Sequence, residues 1–530
     1  MHDPGRNVAR HLRAAATQTP DLTATLSPLS VSPQGRVVHA QCTFQQLDQE
    51  SDAAARVFHA QGIAQGTRVL LAVRPGHDLI VCMFGLLKLG AVAVAIDPGM
   101  GFQSYLNCVR HARPTALVAV RTAHWLSLLP FAAFQSLEHR VTVGSRHWRQ
   151  QLAQTTSSDP RPLAAISAHD PAAILFTSGS TGAPKGVAYT HGMFDAQIEL
   201  VRSTYGIQPG EVDMPMLPMF ALFNPALGMT TITPLLNPTK PASADPAPIV
   251  AALISERVTN SFGSPAIWAR IADHCDQRRL TLPHLRRMLI AGAPVPDRLL
   301  EQLLRIAPQA QIHTPYGATE CLPVSTIEAK ELLATQRDTA RQGGGTCVGR
   351  AVAGVEIRII RETEGALLTL AETTPCPLGE IGEIIVTGPS VTRAYDGLPA
   401  ATALAKIADG ERVWHRMGDL GAIGADGLLR FFGRRAEKVR TAQGDLYTEA
   451  LEPAFRAHPQ VARCALIGLG NKAPMVPALV IEPKEDHFPT NTGEREKFIE
   501  SLRAQAASHP QAAAIQQIFF QKKLLTFSQK

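Results

Sequence analysis

Apolar residues in the first half of the chain alternate between two periods. Residues 44–61 have helical spacing, with Leu47, Ala54, Val57 and Phe58 in step, and the apolar residues 69–73 then read as a buried strand. The pair repeats as a helix over 78–88 and a strand over 91–96. The longest apolar run, 80–96, contains Gly85, Lys88 and Gly90. It is also shorter than the roughly 20 residues that cross a bilayer, so no transmembrane segment is predicted. The same rhythm returns at Pro171–Phe176, Arg287–Ile290 and 310–314. Short buried strands separated by helices predict an α/β fold with parallel, doubly wound sheets.

After about residue 343 the pattern changes. Residues 355–360 and 381–387 are β-branched, closely spaced and bounded by Gly and Pro, which predicts an antiparallel, β-barrel-like subdomain reaching to about 433. A helix over 449–457 and a strand over 462–468 follow, as expected of a small α+β C-terminal domain. The first 35 residues are polar and rich in breakers, and they read as a flexible lead-in. The predicted division is therefore a lead-in over 1–35, a large domain over 36–433 and a small domain over 434–530.

Composition narrows the function. Across 530 residues, 45% are hydrophobic and 18% charged, an ordinary globular balance. Lys and Arg number 51 against 45 Asp and Glu, a formal charge of +6 with no basic block, which argues against a nucleic-acid binder. The eight cysteines are scattered without a CxxC pair, so neither a disulfide framework nor a structural zinc site is expected. Reduced thiols fit a cytoplasmic protein. The N-terminal MHDPGRNVARHL lacks the apolar core of a signal peptide.

The sharpest local feature directly follows the strand at 172–176: Thr177-Ser178-Gly179-Ser180-Thr181-Gly182-Ala183-Pro184-Lys185-Gly186. Its glycines let successive backbone N–H groups point inward as an anion-binding nest, its hydroxyls add donors, and Lys185 adds a mobile positive charge. That set suits a nucleotide polyphosphate, although no Gly-Lys-Ser/Thr triplet makes it a Walker loop. A flexible Ser/Gly linker is the alternative. Next comes Tyr316-Gly317-Ala318-Thr319-Glu320, at a strand's carboxyl end, where open α/β sheets bind ligands. Tyr316 would lie on a purine, Thr319 would donate to a phosphate and Glu320 would hold Mg²⁺ through oxygen; a solvated turn has the same composition. Asp419, after Gly418, offers a carboxylate to ribose hydroxyls, and Arg434, after Gly433, a planar fork for ribose or phosphate oxygens. A turn aspartate and a surface arginine are the plainer readings of those two.

Taken in order, TSGSTGAPKG, AGAP (Ala291 to Pro294), YGATE, Gly418-Asp419 and Gly433-Arg434 resemble the adenylate-forming superfamily of acyl- and aryl-CoA synthetases, luciferases and adenylation domains, from about residue 43 to 468. Three longer stretches narrow the likeness to the olefin-biosynthesis β-lactone synthetases. They are LPMFALFNP from Leu217, GGTCVGR from Gly344 and WHRMGD from Trp414. The resemblance implies a large N-terminal part and a small C-terminal domain joined just after Arg434. It implies that Thr177 to Lys185 cradle the phosphates of ATP, and that Gly292, Ala293 and Pro294 line the adenine with Tyr316. Thr319 would touch the α-phosphate, Glu320 would ligate Mg²⁺, and Asp419 and Arg434 would hold the ribose. The implied reaction activates a long-chain 2-alkyl-3-hydroxyalkanoic acid as its adenylate and closes it to a β-lactone. Phe220, Phe223 and Met229 would then line an alkyl channel, or serve as ordinary core.

Departures from the family pattern bear on activity. The family hinge position two after Arg434 is Ala436, and the next element reads Gly444-Asp445-Leu446 without its usual arginine. The superfamily's catalytic lysine near the end has no counterpart, since Lys522, Lys523 and Lys530 stand in a different context. The small domain therefore reads as truncated. That leaves two alternatives to lactone synthesis: a long-chain acyl-CoA synthetase, or a catalytically impaired protein that binds nucleotide or acyl-adenylate within a hydrocarbon-synthesis assembly.

Overall fold

The computed structural model describes residues 6–31, 37–157, 159–176, 184–237, 243–470 and 472–522, which form two compact units. The first comprises 1–323 and 389–402, the second 324–388 and 403–530.

The first unit is built on two sheets. In one, the strands His139–Val143, Ala116–Val120, Arg68–Ala72, Val92–Ile96 and Pro171–Phe176 lie side by side and parallel, and Gly186–Thr190 closes the edge antiparallel to the last. In the other, Gln311–His313, Arg287–Ile290, Asn260–Gly263, Val212–Asp213, Thr230–Ile232 and Thr23–Val31 run parallel, with Val37–Thr43 antiparallel at the edge. The parallel strands are apolar through most of their length, as expected of strands covered on both faces. The run at 80–96 resolves into the helix His77–Leu89 and the strand Val92–Ile96. Between them Gly90 turns left-handed at φ 73° and its N–H caps the helix on Leu86 O. Lys88 is fully buried, and its ammonium is held by Asp48 Oδ1 at 2.5 Å and Asp52 Oδ1 at 2.8 Å.

The N-terminal segment differs from its expectation as a lead-in. Arg10–Gln18 is a helix and Thr23–Val31 a strand of the second sheet. Its polar residues are partners rather than solvated groups. Asn7 donates to Leu87 O at 2.9 Å, Arg13 makes a two-pronged contact to Asp52 at 2.7 and 2.8 Å, and Arg10 and His11 meet Asp195 at 2.6 Å. Sequence polarity misleads here because the charges that answer it lie far along the chain.

The second unit contains an antiparallel sheet in the order Thr346–Ala351, Leu429–Arg434, Arg412–Ile423, Gly382–Thr387 and Glu356–Ile360, with Lys406–Asp409 alongside Arg412–Ile423. Its C-terminal portion packs the helices Thr448–Arg456 and Thr492–Gln505 on a three-stranded sheet of Val461–Leu469, Val476–Pro483 and Gln517–Phe520. Leu451, Phe455, Leu479, Ile481 and Leu502 form the centre of that small core. None of the eight cysteines is in a disulfide, and no helix among the described residues is long and apolar enough to cross a membrane.

Candidate active site

Thr177, Ser178, Gly179, Ser180, Thr181 and Gly182 lie outside the described residues. The chain on either side places them between the end of Pro171–Phe176 and the antiparallel return Gly186–Thr190. Lys185 stands exposed at the start of that return, its Nζ 4.9 Å from the centre of the Tyr395 ring.

Tyr395 belongs to a segment that crosses back over the first sheet. Residues 394–396 run antiparallel to 186–188, with Asp396 N–H donating to Gly186 O at 2.8 Å. Arg68 clamps the Asp396 carboxylate at 2.8 and 3.0 Å, and His111 Nε2 meets the Asp396 carbonyl at 2.6 Å. So fixed, the Tyr395 hydroxyl donates to Glu320 Oε1 at 2.6 Å, and Thr392 N–H donates to the Glu320 carbonyl at 2.9 Å. Burial first, then the neighbouring carboxylate, push the Tyr395 phenol well above its ordinary value, so it stays a donor. Glu320 Oε2 has no hydrogen-bond partner among the described residues. A half-buried carboxylate with one oxygen tied and one open is a donor set suited to a hard divalent cation.

The segment Tyr316–Ala318, with Thr319 and Glu320, is half-buried throughout. A Cβ on Gly317 would lie 2.7 Å from Cys321 O and 2.9 Å from Leu322 Cδ1, so only glycine permits this tight return. Tyr189, the fourth residue after Lys185, donates its hydroxyl to Thr319 O and stacks on Phe194 at 4.8 Å. Gly292, Ala293 and Pro294 form an exposed loop after Arg287–Ile290. Because that strand pairs in parallel with Gln311–His313, the two loops leave the sheet at the same end.

Phe220, Phe223 and Met229 line one cavity, together with Val201, Leu227, Phe262 and Leu289. Phe220 stacks on Phe262 with centroids 3.6 Å apart and an interplanar angle of 15°. Pro315, Leu322 and Pro323, which bracket Tyr316 to Glu320 in sequence, form part of the wall. Asp213, Asn260 and Arg287 also contribute to it. Asn260 and Arg287 open their strands and so mark the end opposite the 291–294 loop. There Arg287 pairs with Glu211 at 2.6 Å, Asn260 bridges the two, and Asn224 donates to Asp213 at 2.8 Å. Burial raises the Asp213 carboxyl to about 7, against the pull of Asn224 and Arg287.

In the second unit Asp419 and Arg434 face each other across Arg412–Ile423 and Leu429–Arg434, with Arg434 Nη1 on Asp419 Oδ1 at 2.6 Å. Asp419 is 2% exposed, which is not how a turn aspartate sits. Lys438, two residues past Ala436, bridges Glu362 and Asp445 at 2.7 Å each.

Elsewhere, Cys42, Glu50 and His77 are the cluster among the described residues with metal-ligand spacing, their donor atoms within 4.8 Å of one another. His77 is engaged on both nitrogens, by Glu50 at 2.6 Å and Thr25 at 2.9 Å.

Sequence patterns did not indicate Tyr189, Gln197 or Tyr395. Tyr189 follows the glycine-rich loop closely enough to have been considered, but Tyr395 lies 75 residues from the carboxylate it holds, with no spacing to reveal it.

Residues 12–396 match the family model described as AMP-binding enzyme. The chain belongs to the AMP-binding enzyme family, whose members are adenylate-forming, acid-activating enzymes. It is 42% identical over 97% of its length to the olefin beta-lactone synthetase of Xanthomonas campestris pv. campestris, covering 94% of that protein. Its identity to the olefin beta-lactone synthetase of Stenotrophomonas maltophilia is 41%, covering 96% of this chain and 93% of that one. Among solved structures, the amide bond synthetase McbA from Marinactinospora thermotolerans superposes with a TM-score of 0.80 at 20% identity, over 98% and 97% of the two chains. The Mycobacterium tuberculosis fatty acyl CoA synthetase gives 0.72 at 20% identity, over 100% and 97%. At that identity the likeness establishes the adenylate-forming fold.

Proposed function

We propose that the protein uses ATP to activate a long-chain 2-alkyl-3-hydroxyalkanoic acid as its adenylate and closes the adenylate to a β-lactone. The observation that carries this reading is the apolar cavity walled by Pro315, Leu322 and Pro323, on either side of Tyr316 to Glu320. An alkyl chain in that cavity would bring its carboxyl to the Thr319–Glu320 segment. The two olefin beta-lactone synthetases at 41–42% identity support the same substrate class.

A carboxylate and a triphosphate repel each other, so the site must supply positive charge and fixed donors before attack on the α-phosphorus is feasible. Lys185 supplies one charge, and the Thr177–Gly182 loop the expected donors. Mg²⁺ held through the open oxygen of Glu320 would neutralise phosphate charge. Tyr395 holds one oxygen of Glu320 and keeps the carboxylate aimed. Gly292, Ala293 and Pro294 with Tyr316 are assigned to the adenine, Gly317 and Thr319 to the phosphate side. Asp419 and Arg434 are assigned to the ribose by motif resemblance alone.

Carboxylate attack releases pyrophosphate. The substrate's own 3-hydroxyl then attacks the acyl carbon and AMP leaves, with no second substrate required. Cysteines outside any disulfide fit a cytoplasmic setting. The test is mass spectrometry of the products formed from such an acid with ATP and Mg²⁺. The reading predicts AMP and a product lighter than the acid by one water, without coenzyme A. AMP release that required coenzyme A would overturn it.

A further inference from the structure

Gln197 sits in the middle of the helix His191–Tyr205, is 3% exposed and lines the apolar cavity. Its Nε2 donates to Leu322 O at 3.1 Å. A carbonyl can only accept, so the amide orientation is fixed with its oxygen turned the other way. That Oε1 is buried and has no hydrogen-bond partner among the described residues. An unsatisfied buried acceptor is costly, so a hydroxyl brought beside it is favoured.

Its place in the cavity indicates the ligand. Leu322 is two residues beyond Glu320, and the Gln197 amide also reaches the Tyr189 hydroxyl, which is bound to Thr319 O. Gln197 therefore belongs to the end of the cavity that borders Thr319–Glu320, not to the polar end at Asn260 and Arg287. The hydroxyl of a 3-hydroxy acid is on the second carbon from the carboxyl carbon, so whatever recognises it must lie beside the group that handles the carboxyl.

We propose that Gln197 Oε1 accepts a hydrogen bond from the substrate's 3-hydroxyl, selecting 3-hydroxy acids and holding that oxygen for ring closure. The proposal rests on the β-lactone reading above. In the closing step the bond from the 3-oxygen to the acyl carbon forms and the acyl–oxygen bond to AMP breaks, with the electron pair leaving on AMP. The hydroxyl proton passes to solvent, because an amide oxygen orients the hydroxyl but is too weak a base to deprotonate it.

The test compares pyrophosphate exchange and lactone yield for a 2-alkyl-3-hydroxy acid and the matching 2-alkyl acid without the hydroxyl. The wild-type protein should favour the hydroxy acid by about 10- to 100-fold in kcat/KM, the range a buried hydroxyl contact supplies. Gln197→Leu and Gln197→Met should erase that preference while activating the deoxy acid at least as well as wild type. They should also yield less lactone per AMP released. Retained preference in either folded variant overturns the proposal, as does an equal fall for both acids, which marks a merely structural glutamine. If the wild-type protein activates neither acid, the β-lactone reading fails first, and that outcome is visible before any variant is made.

Discussion

Asp213 is where the construction of the cavity can be tested against a number. It is 5% exposed, accepts a hydrogen bond from Asn224 at 2.8 Å and lies near the Arg287–Glu211 pair. Burial outweighs these contacts and raises its carboxyl from 3.8 to about 7. A carboxyl raised on folding keeps its proton in the native state after the unfolded chain has lost its own. Native stability therefore falls as pH climbs from about 4 to about 7 and levels off above. Asp213→Asn holds the site neutral and removes that slope. Each pKa unit is worth about 1.4 kcal/mol, and roughly two of them are traversed between pH 5 and pH 8. Over that interval the stability of D213N relative to wild type should rise by about 3 kcal/mol. Urea unfolding of both proteins at a series of pH values reads this directly, and taking the difference cancels every other titrating group. A constant offset between the two curves would refute the account of a buried, neutral Asp213.

Lys88→Met should cost about 3–5 kcal/mol in urea unfolding, because it strips the buried Asp48 and Asp52 of their shared cation; an unchanged midpoint would contradict that pairing. Lys185→Ala should slow ATP–pyrophosphate exchange by about 10²–10³ while leaving the melting temperature near wild type, since Lys185 is exposed. Chelation with EDTA should stop AMP release and Mg²⁺ should restore it. Glu320→Gln should need more Mg²⁺ for the same rate, and an unaltered Mg²⁺ dependence would remove Glu320 from the metal's reach.

Where burial follows local sequence, the elements were legible. Residues 44–61 read as a helix and form Phe44–Ala60, and Pro171–Phe176 and Arg287–Ile290 are strands with the predicted bounds, because continuous apolar runs leave few alternatives. The helix Arg10–Gln18 was not legible, since Arg13 is matched by Asp48 and Asp52 some 35 to 39 residues away. The candidate site divides in the same way. Lys185 and Glu320 stand in motifs whose chemistry is local. Tyr395, which fixes the Glu320 carboxylate, and Gln197, which lines the cavity with a buried oxygen unpartnered among the described residues, take their meaning only from contacts made in the folded chain. The positions Phe220, Phe223 and Met229 read equally as core or channel, and their shared cavity gives them a common surface.

The central claim is that the acid is handed AMP through its carboxyl and then displaces it with its own hydroxyl. Isotope tracing tests both halves at once, using a 2-alkyl-3-hydroxy acid labelled with ¹⁸O in both carboxyl oxygens. The account predicts one ¹⁸O in the AMP and one in the lactone carbonyl, with an unlabelled ring oxygen. Unlabelled AMP beside a lactone that keeps both labels would contradict it, because the hydroxyl rather than the carboxyl would then have been activated.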